Sequence, residues 1–164
     1  MAIETPRELF VYELGLTRNL ERMGDHMLSD VAHTADNRDL VRILHEEEES
    51  RYRQAANIDA CLAAVGLSPL DQRAAVVEGL RERFFNFVGM DPSPAIRDLY
   101  VIGTALRFTN LVISAYRELL DLAVLAAAHE CRQPLQANLS HKEQYVEKLN
   151  WCRRELAENL AATV

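Results

Sequence analysis

Residues 66–94 read GLSPLDQRAAVVEGLRERFFNFVGMDPSP. This stretch decides the fold, because it is either a turn between two helices or an element of its own. Val76, Val77, Leu80, Phe84, Phe85 and Phe87 give residues 70–90 the pattern of a short helix. Breakers bracket it. Gly66 stands where a helix commonly ends in a left-handed residue, and Leu67-Ser68-Pro69 follows as a connection. Gly89 and Asp91-Pro92-Ser93-Pro94 close the other side, with Ser93 as a cap and Pro94 in the first turn of the next helix.

Long helical patterns lie on both sides. Thr5-Pro6-Arg7-Glu8 combines a cap, a first-turn proline and a capping box. Phe10, Leu16, Leu20, Met27, Leu28 and Val31 then predict a helix to about His33, with a break at Ala35-Asp36-Asn37. Leu40, Leu44, Ile58, Leu62 and Val65 predict a second helix over about 38–65. A third long helix is predicted over about 95–127 and a bend over 128–134. Pro134 opens a fourth, to about Leu160, with Leu135, Leu139, Val146, Leu149 and Leu156 inside. No strand pattern of any length is visible. The expectation is one all-α domain over residues 1–164: a ferritin-like four-helix bundle with a short helix in its long crossover. A cytokine-type bundle would need two long connections.

Composition narrows function. The chain is 49% hydrophobic and 26% charged, a globular balance. A net charge of −7 argues against a nucleic-acid surface, which needs clustered Lys and Arg. The longest apolar run, Leu122–Ala128, is far below the roughly 20 residues that span a bilayer. Cys61, Cys131 and Cys152 are odd in number and widely spaced, which argues against a disulfide framework or structural zinc and for a cytoplasmic setting. The N-terminus has no basic-then-apolar signal pattern. No phosphate loop, nucleophile elbow or HExxH motif is present.

Several stretches together resemble the ferritin-like YciE/YciF family of bacterial stress-associated proteins. They are Glu8-Leu9-Phe10-Val11-Tyr12-Glu13-Leu14, Glu78-Gly79-Leu80, Arg97-Asp98 and Ala115-Tyr116. The resemblance implies a four-helix bundle, usually dimeric, with a carboxylate site between the helices for two metal ions.

Two iron or manganese ions close together need several anionic oxygen ligands pointing inward from all four helices. Glu21 matches the family's first-helix glutamate. On the second helix, spacing from Leu40 and Leu44 to Ile58 puts Glu47, Arg51 and Gln54 inward. Glu47 stands where the family carries a histidine, and Ser50 where it carries a glutamate. His45, Glu46, Glu48 and Glu49 fall sideways or outward. Between Asp98 and Glu118 the third helix has no Asp, Glu, His or Cys; Phe108-Thr109-Asn110-Leu111-Val112 replaces the family's Val-Glu-His-Tyr-Glu. On the fourth helix Ser140-His141-Lys142 replaces a run of acids and Val146 an aspartate. The metal centre is therefore expected to be degenerate, with no cofactor. Lys142 either supplies the missing charge by pairing with Glu21, Glu47 or both, or snorkels outward along its stem.

Three functions follow. The first is a non-catalytic structural or regulatory homodimer, with a protein partner left open. The second is an iron- or manganese-binding protein using Glu21, Glu47 and His45 or Glu48. The third is a small-ligand binder using a vacated cavity lined by Gln54, Thr109, Val112 and Val146. His26, Asp30 and His33 share one face of the first helix as a weaker surface metal candidate. Phe84-Phe85-Asn86-Phe87, with Trp151 and Cys152, either covers the bundle or forms the dimer surface.

Overall fold

A computed structural model describes residues 2–67 and 73–163. Five helices follow in order: α1 (Pro6–Ala32), α2 (Arg38–Ala64), α3 (Ala75–Val88), α4 (Pro94–Leu125) and α5 (His129–Ala161). The described residues contain no strand. The four long helices form a ring in which α1 packs on α2 and α4, and α5 packs on α2 and α4. The short α3 lies against α1 and α4, as a crossover should.

The start of α4 is held at the α1–α2 hairpin. Asp98 is buried there and accepts the backbone N–H groups of Asp36 (2.8 Å) and Asn37 (3.0 Å). Arg97 donates to the Thr34 carbonyl at 2.8 Å and pairs with Asp36. This pins α4 parallel to α2, the arrangement that one long crossover requires. It also gives the Arg97-Asp98 pair a physical task.

The caps explain the helix limits. Thr5 accepts from the Glu8 N–H while the Glu8 carboxylate accepts from the Thr5 N–H, so the expected capping box is present. Gly66, at φ +79°, ends α2, and the Leu67 N–H reaches the Leu62 carbonyl. Ser93 takes the cap position of α4, but its side chain makes no capping hydrogen bond. The short helix starts at Ala75 rather than 70; residues 68–72 of that expectation lie outside the described residues.

The largest boundary difference is at α5, which begins at His129, so Pro134 lies inside it. The chain reverses over Ala126–Ala128 instead. Ala127 adopts φ +53°, and the Ala128 N–H closes on the Ala123 carbonyl. That is the same closing motif as at Gly66, made without a glycine, so no residue type announced it.

The core follows a 3-4 spacing on each long helix. On α5 it is Leu135, Asn138, Lys142, Tyr145, Leu149, Cys152 and Leu156; on α4 it is Ile102, Ala105, Thr109, Val112, Tyr116, Leu119 and Ala123. Such a spacing keeps one seam facing the bundle axis along its whole length. By length and composition α4 could cross a bilayer, but 56% of its most apolar window is buried inside the bundle. The seams are apolar toward the ends and polar in the middle.

Candidate functional site

The polar middle draws on every long helix. Glu21 comes from α1, Glu47 and Gln54 from α2, Tyr116 from α4, and Asn138 and Lys142 from α5. Lys142 is 2% exposed, and its ammonium lies between the two carboxylates. Nζ is 2.8 Å from Glu47 Oε1 and 3.1 Å from Glu21 Oε2. The lysine does not snorkel outward.

The other carboxylate oxygens are also committed. Tyr116 donates its hydroxyl to Glu21 Oε1 at 2.6 Å. His141 contacts Glu47 Oε2 through Nε2 at 2.6 Å. An ionised carboxylate only accepts, so the imidazole carries hydrogen on Nε2. Gln54 donates to Glu47 Oε1 (3.3 Å) and to the Ser50 hydroxyl (2.8 Å). Ser50 in turn donates to the Glu47 carbonyl at 2.8 Å. Asn138 donates to the Tyr116 oxygen (3.0 Å) and to the Gln54 carbonyl (2.9 Å), and accepts from Asn57 (2.8 Å). The network thus ties α1, α2, α4 and α5 together.

The electrostatics follow from this geometry. Burial alone would raise the Glu47 pKa, but the His141 hydrogen bond and the Lys142 charge and hydrogen bond overcome it and hold the carboxyl at about 2. Burial pulls Lys142 down, yet the charges of Glu21 and Glu47 raise it overall, so the ammonium stays charged. Burial, then the Glu21 charge, push the Tyr116 phenol up. Asp25, four residues after Glu21 and half-buried, is raised to about 7 by burial first and by the Glu21 charge second.

A pair of metal ions does not fit these residues. All four oxygens of Glu21 and Glu47 already accept from Tyr116, Lys142, Gln54 or His141. The ammonium stands between the two carboxylates that a cation would bridge, and the nearest side chains from α4 and α5 include a phenol and an amide rather than carboxylates. Among the described residues, no group of three or more His, Cys, Asp or Glu could hold a metal ion.

The remaining sequence candidates are dispersed. His45 faces solvent and pairs with Glu49 at 3.3 Å. Glu48 accepts from Ser29 at 3.3 Å and pairs with Arg51 at 3.5 Å, away from Lys142. His26 and His33 are exposed, and Asp30 is taken by Arg81 of α3 at 2.6 Å. Thr109 and Val112 are buried, and Val146 is partly buried against the core. Phe108, beside Thr109 on α4, is fully buried, and its ring lies against Gly24: a Cβ added at Gly24 would come within 1.8 Å of it. The cleft beside the site lies elsewhere, between α1 and α2. It measures about 90 Å³ and is lined by Glu21, Asp25, Arg51 and Gln54 among others. Of the crossover aromatics, Phe84 is fully buried and Phe87 stacks on Tyr100 at 3.8 Å, while Phe85 is 39% exposed. Trp151 is 41% exposed and Cys152 is buried.

Sequence reading missed Asn138, Asp25 and the roles of Tyr116 and His141. Asn138 lies one turn before Lys142, and Asp25 one turn after Glu21, so helical spacing from the two charged residues is the signal that finds them.

A family described as a domain of unknown function, DUF892, matches residues 5–162. The chain belongs to this family, the ferritin-like YciE/YciF group. Among solved structures it is similar to the E. coli stress protein YciF, at 20% identity and TM-score 0.88, over 95% of this chain and 99% of that one. YcfI from Rhodopseudomonas palustris matches at 22% identity and TM-score 0.85, over 90% of this chain and 94% of that one. A protein from Xanthomonas campestris matches at 18% identity and TM-score 0.77, over 97% of this chain and 98% of that one. At these identities the likeness concerns the fold. A search of the curated proteins found no match.

Proposed function

We propose that this protein is a non-catalytic member of its family, a stress-associated structural or regulatory homodimer whose bundle centre is closed by a lysine in place of metal. One observation carries the reading. The Lys142 ammonium lies 2.8 Å from Glu47 and 3.1 Å from Glu21, at the place where a bridging cation would sit. An ion network across four helices, in which all four oxygens of Glu21 and Glu47 accept a hydrogen bond, holds the bundle in one packing and leaves neither carboxylate free for a metal. The stress association is taken from the likeness to the E. coli stress protein YciF. The dimer is supported by apolar side chains left outside, among them Met90 (76% exposed), Leu125 (68%), Val124 (53%) and Trp151 (41%).

Elemental analysis tests the central part. Untagged protein is measured as purified and again after anaerobic soaking in iron(II) or manganese(II). No stoichiometric metal is expected in either state. One or two equivalents that disappear in Glu21→Ala would sink the proposal. Light scattering tests the dimer, with twice the chain mass of 18.6 kDa expected.

A further inference from the structure

Two cysteines outside the central network face each other at the opposite end of α2. Cys61 is in the last turn of α2, which ends at Ala64, and Cys131 is in the first turn of α5, which begins at His129. Both are buried and free. The Cys61 sulfur lies 3.7 Å from the Cys131 carbonyl, and the Cys131 sulfur 3.8 Å from the Cys61 carbonyl. This reciprocal reach requires the two backbones to run side by side with both side chains between them. Cys152 cannot join this pair within one chain, because 21 residues of α5 separate it from Cys131, about 30 Å along the axis.

We infer that Cys61 and Cys131 are a modification site: a dithiol that peroxide converts to an intramolecular disulfide joining α2 to α5.

The local structure provides the access that burial denies. The first turn of α5 has Ala128 at its cap position and no side-chain cap hydrogen bond. Pro134 lies inside the helix, so the Glu130 carbonyl receives no N–H from the residue four positions on. A turn held this weakly opens at a fraction of the cost of global unfolding. Burial raises both thiols above the usual cysteine range, so the closed site reacts slowly and oxidation proceeds through the open one.

The chemistry balances with hydrogen peroxide as the oxidant. The Cys131 thiol gives up its proton, the thiolate attacks one peroxide oxygen, the O–O bond breaks, sulfenic acid forms, and the departing hydroxide takes that proton and leaves as water. The Cys61 sulfur then attacks the Cys131 sulfur. The S–O bond breaks, the S–S bond forms, and the hydroxide leaves as water with the Cys61 proton. In sum, two thiols and one peroxide give one disulfide and two waters. In a reducing compartment such a pair rests as dithiol and closes only under oxidant, the usual meaning of an intracellular disulfide.

The test uses the reduced full chain, exposed to hydrogen peroxide under native conditions and quenched by alkylation. The expected product has lost two hydrogens, keeps one alkylatable thiol at Cys152, and yields a linked pair of peptides containing Cys61 and Cys131. Closing the intervening loop should raise Tm by about 10 °C, reversed by reductant. C61A and C131A, checked for folding by circular dichroism, should each lose the link, and C152A should keep it. Three thiols still alkylatable after prolonged exposure would overturn the inference, as would crosslinks through Cys152 or direct passage to sulfinic acid without a link.

Discussion

The bundle buries carboxylates in two regions and satisfies them in opposite ways. At the α1–α2 hairpin, Asp98 accepts two backbone N–H groups, which are neutral and cannot be titrated away. In the bundle centre, Glu21 and Glu47 share one ammonium, supported by a phenol, an imidazole and an amide. The first arrangement is local and fixes a chain crossing. The second joins all four long helices around one buried ammonium. A buried carboxylate that loses an amide loses a hydrogen bond, whereas one that loses its only cation is left as an uncompensated charge. The two regions should therefore differ in how far one substitution damages them.

Replacing Lys142 is expected to have the largest effect. Lys142→Met keeps the stem and strands two carboxylates, and should reduce stability by about 3 kcal/mol or more in urea unfolding. A loss near zero would mean that the ammonium contributes nothing net to the centre. At the other region, Asp98→Asn keeps one acceptor oxygen and leaves one of the two loop amides facing an N–H₂ group. A smaller loss, about 1–3 kcal/mol, is expected, with the damage confined to the hairpin in hydrogen exchange. Damage reaching the centre would erase the contrast.

Acid should act on the bundle centre. Glu47 is held at about 2, below its ordinary 4.5. A depressed folded pKa gives stability that is full above the unfolded value and is lost as pH falls through the folded one. The chain should therefore lose stability between about pH 4.5 and 2, and Glu47→Gln should flatten that limb. An unchanged limb in this variant would place the acid sensitivity elsewhere.

Asp25 has the opposite sign. Its folded pKa is raised from 3.8 to about 7, so the folded state keeps a proton that the unfolded chain releases. Stability should decline as pH rises from about 4 to 7 and level off above, and Asp25→Asn should remove that decline. Carboxyl NMR showing Asp25 titrating near its ordinary value would remove the basis of this prediction.

The helices and their order were legible because their signals are local. Thr5-Pro6-Arg7-Glu8 states a helix start in four residues, and Gly66 marks an end. The α4–α5 reversal was not legible, because Ala127 takes a left-handed conformation that its residue type does not favour. Pro134, the strongest apparent punctuation, is absorbed within α5. At the centre, the missing acids on α4 and α5 and the odd lysine at 142 were legible through the family resemblance, which supplies acids at those positions. The partners of Glu21 and Glu47 could not, since Tyr116 and Asn138 become site residues only once α4 and α5 are placed against α1 and α2. His141 lies beside Lys142 in sequence, outside the buried seam of α5, and reaches Glu47 from the edge of the core.

The most direct test of the central claim compares Lys142→Met with the triple variant Glu21→Gln/Glu47→Gln/Lys142→Met, both measured by urea unfolding at pH 7. If the lysine is there to neutralise the two carboxylates, removing their charge together with it should restore more than half of the stability lost in the single variant. If the triple variant instead loses the sum of its separate losses, the three residues are not coupled, and Lys142 does not stand in for the metal.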